Sequence, residues 1–279
     1  MFSLEQFLLP MSFWAIAAFG FGVIIGSFLN VYIYRFHTGK SLAGHSHCLS
    51  CGTPLRWFEL FPILSYMILR GRCRTCGCRI PSRYFLVELA TGVLFALTLT
   101  LTLDLAAILL WWFIFSVLVV ILVYDLYHYI IPDRLVIVLT TAALLLLGYQ
   151  WWLAPSFSLE RVGATLLAAL AGSGFFFFLW YISKGKWLGF GDVKLAFPLG
   201  LLVGPVYVFS FVVLSFWIGA AVSLMLLGWY HLRRGKAGLH LPSQTLTMKS
   251  AVPFAPFLIA AGLVVIFTHF NVLALFSFN

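Results

Sequence analysis

Charge is what this chain has least of, and negative charge least of all. Of its 279 residues 9% are Asp, Glu, Lys or Arg, against roughly 25% in a soluble domain, and eight are acidic. That composition does not cover an ordinary water-facing surface. Hydrophobic residues make up 63%, so the bilayer is the main solvent. Also missing are a metalloprotease H-E-x-x-H, a serine nucleophile elbow and a Walker loop, which removes the chemistries those motifs carry. Gly185, Gly189 and Gly191 have neither the spacing nor the preceding strand of a dinucleotide fingerprint. Residues 1–10 hold Glu5 and no Lys or Arg, so the first apolar run lacks the positive flank of a cleavable signal peptide and reads as a permanent span.

Apolar runs approaching the roughly 20 residues that cross a bilayer as helix recur at 11–34, 84–103, 105–124, 135–152, 162–182, 193–202, 206–230 and 251–270. They predict an all-α polytopic membrane protein of about eight transmembrane or partial-span helices. Three segments follow: a first span (1–35), a polar loop domain (36–82) and a membrane-embedded remainder (83–279). The net charge of +9 reports orientation rather than nucleic acid. With the N-terminus outside, the inner loops take the basic residues of 35–83, then Arg134, Lys184, Lys186, Lys194, Arg233, Arg234, Lys236 and Lys249, leaving Arg161 outside with Glu5, Asp104 and Glu160. Gly204-Pro205 marks a reversal that keeps Arg233 and Arg234 on the basic side. The limb before it spans only about 18 Å; such a partial span needs shelter from other helices and often lines a polar cavity.

All five cysteines lie in the loop 36–82: Cys48-Leu-Ser-Cys51, Cys73-Arg-Thr-Cys76, and Cys78. Two C-x-x-C knuckles at this separation point to a structural zinc held by Cys48, Cys51, Cys73 and Cys76, with Cys78, His45 and His47 as substitutes for one ligand. Four protein ligands leave no open position, so the metal is scaffold and not catalyst. A reducing cytoplasm on this side disfavours disulfides.

Acids near the inner ends of the spans are Glu88, Asp125, Asp133 and Asp192, functional candidates because ionisable groups in the bilayer are costly. Asp133, after Pro132, sits at an N-cap position. Asp192 is equally placed to cap a limb starting at Val193. Asp125 ends a span, where the helix dipole disfavours a carboxylate, so capping does not account for it. Gly189 and Gly191 beside Asp192 suggest close backbone approach or positive φ, with an extended substrate lying against the turn. Two adjacent carboxylates share a proton, one activating water and the other protonating a carbonyl, which is aspartyl amide hydrolysis. The other residues read as structural: Gly22 and Gly26 for helix packing, Asn30 for an interhelical hydrogen bond, Glu88 for an arginine partner, His128 for solvent. Two rival readings are a proton-coupled transporter using the same acids and a membrane-anchored binding module whose basic loop contacts anionic lipid or a partner.

In sequence order, Gly26-Ser-Phe-Leu-Asn30-Val-Tyr-Ile-Tyr-Arg35, the paired cysteines, Ser65 to Cys73, Ser82 to Glu88, Asp125 to Asp133, Gly189-Phe-Gly-Asp192-Val-Lys194 and Pro253-Phe-Ala-Pro256-Phe257 together resemble the bacterial type IV prepilin peptidases, almost end to end. Leu49, Phe61 and Phe85 depart from the usual family residues. The resemblance implies Asp125 and Asp192 as catalytic acids, with Gly189, Gly191 and Lys194 in support. It implies cleavage of type IV prepilin or pseudopilin leaders after a glycine, at the cytoplasmic face of the bacterial inner membrane, in pilus assembly or type II secretion. It further implies N-methylation of the new N-terminus with S-adenosylmethionine. No residue is marked for that second step, and oligomeric state stays open.

Overall fold

The computed structural model describes residues 9–36, 44, 46–155, 158–234 and 253–275, with backbone alone for 230–234. Glu5, His45, Lys236 and Lys249 lie outside the described residues. The helices are α1 Met11–Arg35, α2 Leu64–Ile68, α3 Arg83–Leu97, α4 Leu105–His128, α5 Asp133–Leu153, α6 Leu159–Ser183, α7 Phe190–Val203, α8 Val208–Arg234 and α9 Ala255–Thr268. Helix is the outcome physics demands here, because hydrocarbon offers no hydrogen bonds to an open backbone. Local chemistry sets several ends. Ser158 accepts the Arg161 N–H to cap α6, and Gly204, at φ 79°, breaks the chain between α7 and α8.

Stretches centred on α1, α3, α4, α5, α6 and α8 are long and apolar enough to cross a membrane. Helices α7 and α9, with 14 residues each, reach about 21 Å and are partial spans. The chain is therefore a multi-pass helical membrane protein, with the eight spans or partial spans expected. The ends differ: α4 continues past residue 124 to His128, and α7 starts at Phe190 rather than Val193. Among the described residues there is no strand, only isolated bridges His47↔Pro54 and Arg72↔Arg79.

The chain divides into two compact units, residues 1–123 with 148–150 and residues 124–147 with 151–279. In the first, α1 and α3 pack backbone to backbone, as Gly22 and Gly26 suggest. A Cβ on Gly26 would lie 2.7 Å from Glu88 Cα, and one on Gly22 2.8 Å from the Thr91 carbonyl oxygen. Asn30 Nδ2 donates to the Tyr84 carbonyl at 3.0 Å. Overfilling such a contact costs about 1–3 kcal/mol, so Gly26→Val should lower the thermal midpoint in detergent. Gly20→Val, where an added Cβ meets nothing within 4 Å, should not.

In the second unit α7 is the buried helix. Leu195, Ala196, Leu199 and Leu201 are fully covered, and Gly200 lets Ala169 of α6 approach, its Cα only 2.9 Å from where a Cβ would sit. Ser173 Oγ donates to the Val193 carbonyl at 3.0 Å. Pro198 removes the amide that would bond the Lys194 carbonyl. The short limb is sheltered, as a partial span must be.

Candidate active site and metal centre

Asp125 and Asp192 both belong to the second unit, are 4% and 6% exposed, and interact electrostatically with one another. Three helices place them. Asp125 lies one turn from the end of α4, where Tyr129 closes the helix by donating its N–H to the Asp125 carbonyl at 2.8 Å. Asp192 is in the first turn of α7; its Oδ2 accepts the N–H of the N-cap residue Gly189 at 3.1 Å. The start of α9 supplies the third contact, since the Ala255 N–H donates to the Asp125 carboxylate. Both acids thus meet the positive end of a helix. Asp125 Oδ2 is buried with no hydrogen-bond partner among the described residues, an orphan acceptor of the kind that calls for an explanation.

Ala255 has no side-chain signal for this role. The hint in the sequence is its position between Pro253 and Pro256, since proline is common in the first turn of a helix. The two glycines turn out differently from expectation. Gly189 has φ −74° and Gly191 is helical, so neither needs positive φ. A Cβ on Gly191 would lie 3.0 Å from the Cβ of Ile131, so this glycine makes room for the chain's own side chain rather than leaving a face for substrate.

Asp133 does not cap α5. The N-cap is Pro132, with no side-chain capping bond, and Asp133 Oδ1 instead accepts from Lys194 Nζ at 2.8 Å. Lys194 also lies 4.9 Å from the Phe190 ring centroid, so it ties the start of α5 to the start of α7. His128 is exposed beside Tyr124. Glu88, for which the sequence suggests an arginine, accepts the Ile63 N–H at 2.7 Å and the Ser27 hydroxyl.

The cysteine loop, in the first unit, repeats one turn twice. Cys48 N–H bonds the Thr53 carbonyl at 2.9 Å and Gly52 N–H the Cys48 carbonyl at 2.9 Å; Cys73 N–H bonds the Cys78 carbonyl at 2.8 Å and Gly77 N–H the Cys73 carbonyl at 2.9 Å. Gly52 and Gly77 hold φ 71° and 70°, which glycine takes without strain. Cys51 thereby corresponds to Cys76, and Cys78 to Thr53. The sulfur atoms of Cys48, Cys73, Cys76 and Cys78 all lie within 4.8 Å of one another, while Cys51 Sγ bonds Thr53 Oγ1 at 3.2 Å and also interacts with Cys48 and Cys76. Backbone N–H groups of Cys51 and Ser50 hold the Cys48 thiol down to about 6, favouring a thiolate. A tetrahedral ion with about 2.3 Å bonds to sulfur separates its ligands by about 3.8 Å; Cys48 stands 3.5 Å from Cys78 and 3.9 Å from Cys76. The thiols present suit a four-coordinate thiophilic metal.

Two family profiles cover most of the chain: the bacterial peptidase A24 N-terminal domain over residues 21–102 and the type IV leader peptidase family over residues 112–224. A prepilin leader peptidase/N-methyltransferase of Burkholderia pseudomallei (strain 1026b) is 32% identical over 280 residues, 88% of this chain and 82% of that protein. One of Myxococcus xanthus (strain DK1622) is 49% identical over 82 residues, 29% of this chain and 24% of that relative. The type 4 prepilin-like proteins leader peptide-processing enzyme of Escherichia coli O78:H11 is 42% identical over 95 residues, 27% and 35% of the two lengths. The match thus spans less than half the length of these last two relatives, against most of the Burkholderia protein. No solved structure matches. The chain belongs to the type IV leader peptidase family.

Proposed function

We propose that this protein cleaves the leader peptides of type IV prepilins or pseudopilins, with Asp125 and Asp192 as its catalytic pair. The observation that carries the proposal is the burial of both carboxylates, Asp192 in the first turn of α7 and Asp125 against the backbone N–H that begins α9. One carboxylate takes a proton from water, and the water oxygen bonds the scissile carbonyl carbon. The other protonates the carbonyl oxygen. Collapse of the tetrahedral intermediate breaks the C–N bond, and the departing amine takes up a proton. Gly189 holds Asp192 through its N–H, Ala255 does the same for Asp125, and Lys194 with Asp133 fixes the helix starts. The names of the relatives support peptidase chemistry and give no support to a proton-coupled transporter. The zinc loop faces the cytoplasm of a bacterial inner membrane in this reading, with the N-terminus outside, because that arrangement keeps nearly all the basic residues inside. The test is direct: detergent-purified protein should convert a pilin-like precursor to the leader and mature product, and absence of product from an intact precursor would sink the proposal.

Methylation of the new N-terminus is the second activity, supported by the relatives' names. A cavity of about 730 Å³ in the first unit, lined by Asn30, Tyr34, Tyr66, Tyr84, Phe85 and Glu88 among others, falls within the roughly 300–1,000 Å³ of small-molecule sites. Its aromatic rings and the buried Glu88 carboxylate suit S-adenosylmethionine, with its flat base and cationic sulfonium. When bound, that donor supplies an electrophilic methyl group for the new amine. Glu88→Gln, which keeps an acceptor for the Ile63 amide, should weaken equilibrium binding of S-adenosylmethionine by about 10-fold or more while leader cleavage persists. Unchanged donor binding would remove Glu88 from this role.

A further inference from the structure

Opposite α1 and α3, the cavity is lined by residues of a segment whose large apolar side chains are exposed among the described residues. Residues 57–68 comprise a 3-10 turn, Trp57–Leu60, and α2. Trp57, Leu60, Phe61, Leu64, Met67 and Ile68 are between 45% and 78% exposed. The one charged residue of the segment is Glu59, and its carboxylate turns back to accept the Arg56 N–H at 2.7 Å. This run is too short to cross a bilayer and too apolar to face water.

Its attachment fixes its depth. The Ile63 N–H donates to Glu88 of α3 at 2.7 Å, and Tyr66 stacks on Phe85 of α3 with centroids 5.4 Å apart. Glu88 lies five residues beyond Arg83, the first residue of α3, or about 7.5 Å along the axis at 1.5 Å per residue. Helix α3 is the core of a membrane span. The segment is therefore pinned alongside the opening turns of a spanning helix, at the level where interfacial helices bury their apolar face, about 5–10 Å into the headgroup and acyl boundary. Ile63 holds φ 62°, a conformation a β-branched residue takes only when its surroundings impose it. The Glu88 carboxylate is such a constraint.

Exposed basic residues flank the segment in sequence, one of them, Arg74, lying 5.2 Å from the Phe58 ring centroid. Arg56 precedes the segment and Arg70, Arg72 and Arg74 follow it, a placement that meets anionic phosphates at a membrane surface. Trp57 occupies the end of the segment where aromatic residues favour the interface. We propose that residues 57–68 are a monotopic membrane anchor, seated in the leaflet that α3 enters, and that the occupant of their exposed face is phospholipid. The anchor holds the cysteine knuckles and the cavity against the membrane surface. It makes the loop domain part of the membrane structure rather than a freely hanging appendage, and it depends on the membrane-embedded fold, not on the protease chemistry.

The experiment uses the full-length protein in liposomes of zwitterionic and anionic phospholipid. A diazirine-bearing amino acid is placed singly at Leu64, at Ile68, and at Thr75, an exposed position in the second knuckle. After photolysis, mass spectrometry should find phospholipid adducts at positions 64 and 68 in several-fold higher yield than at 75, where water consumes the carbene. Equal yields at the three positions would overturn the anchor. So would polypeptide adducts dominating at 64 and 68, which would assign the face to a protein partner or a second copy. Retention of bound metal in each labelled protein verifies that the loop is intact.

Discussion

Replacing either Asp125 or Asp192 by Asn is expected to lower kcat/KM for leader cleavage by at least about 10³-fold, the scale on which residues acting as one catalytic unit fail. The substitution is nearly isosteric, and the local bonds survive it. An amide oxygen at position 192 still accepts the Gly189 N–H, and one at 125 still accepts the Ala255 N–H. The α7 start and the α4 end should therefore stay folded, and the thermal midpoint should not fall. The loss would then be chemical: an amide neither takes a proton from water nor shares one with its neighbour. Asp133→Asn supplies the contrast. Its ion pair with Lys194 joins side chains 64% and 36% exposed, and exposed pairs contribute only about 0–1 kcal/mol, so cleavage should stay within about fivefold of wild type. Undiminished cleavage in Asp125→Asn or Asp192→Asn would remove the catalytic assignment.

The spans were legible because hydrocarbon imposes one solution on a long apolar run, and the break at Gly204-Pro205 was legible for the same reason turns usually are. Helix ends were not, because hydropathy falls at Asp125 and Asp192 while backbone hydrogen bonding continues through both. The two acids stood out by rarity. What supports them did not: the Ala255 amide has no side-chain identity, and Ile131 reaches Gly191 only through tertiary packing, so that glycine read as clearance for substrate. The ion pair of Asp133 with Lys194 joins positions far apart in sequence, whereas an N-cap is a local pattern, and the local pattern misled. Cys78 illustrates a different limit. Spacing selects the two C-x-x-C pairs, but the repeated turn is needed to see that Cys78 stands where Thr53 does and still points its sulfur into the cluster.

Removing the metal is expected to unfold the loop domain while leaving the spans intact. The described part of the loop has two isolated bridges and no strand, and much of its apolar surface faces outward, so its own packing contributes little. Structural zinc in small domains contributes about 10–16 kcal/mol of apparent binding energy at neutral pH, and that energy is folding energy. Chelation should therefore open tryptic sites at Arg70, Arg72, Arg74 and Arg79, with the membrane helices still protected. Cys48→Ser, Cys73→Ser and Cys76→Ser should each lose stoichiometric metal and show the same cleavage pattern without chelator. Cys48, Cys73 and Cys76 fill three positions and Cys51 and Cys78 compete for the fourth, so Cys51→Ser and Cys78→Ser should each keep the metal, the remaining one of the two supplying the fourth thiolate. The double variant Cys51→Ser/Cys78→Ser has three thiols left and should lose it. Metal per chain by elemental mass spectrometry decides the matter. Full occupancy in the double variant would rule out a tetrathiolate centre, full occupancy in Cys73→Ser would remove Cys73 from the ligand set, and loss in Cys51→Ser alone would return the fourth ligand to the knuckle pair that the spacing first selects.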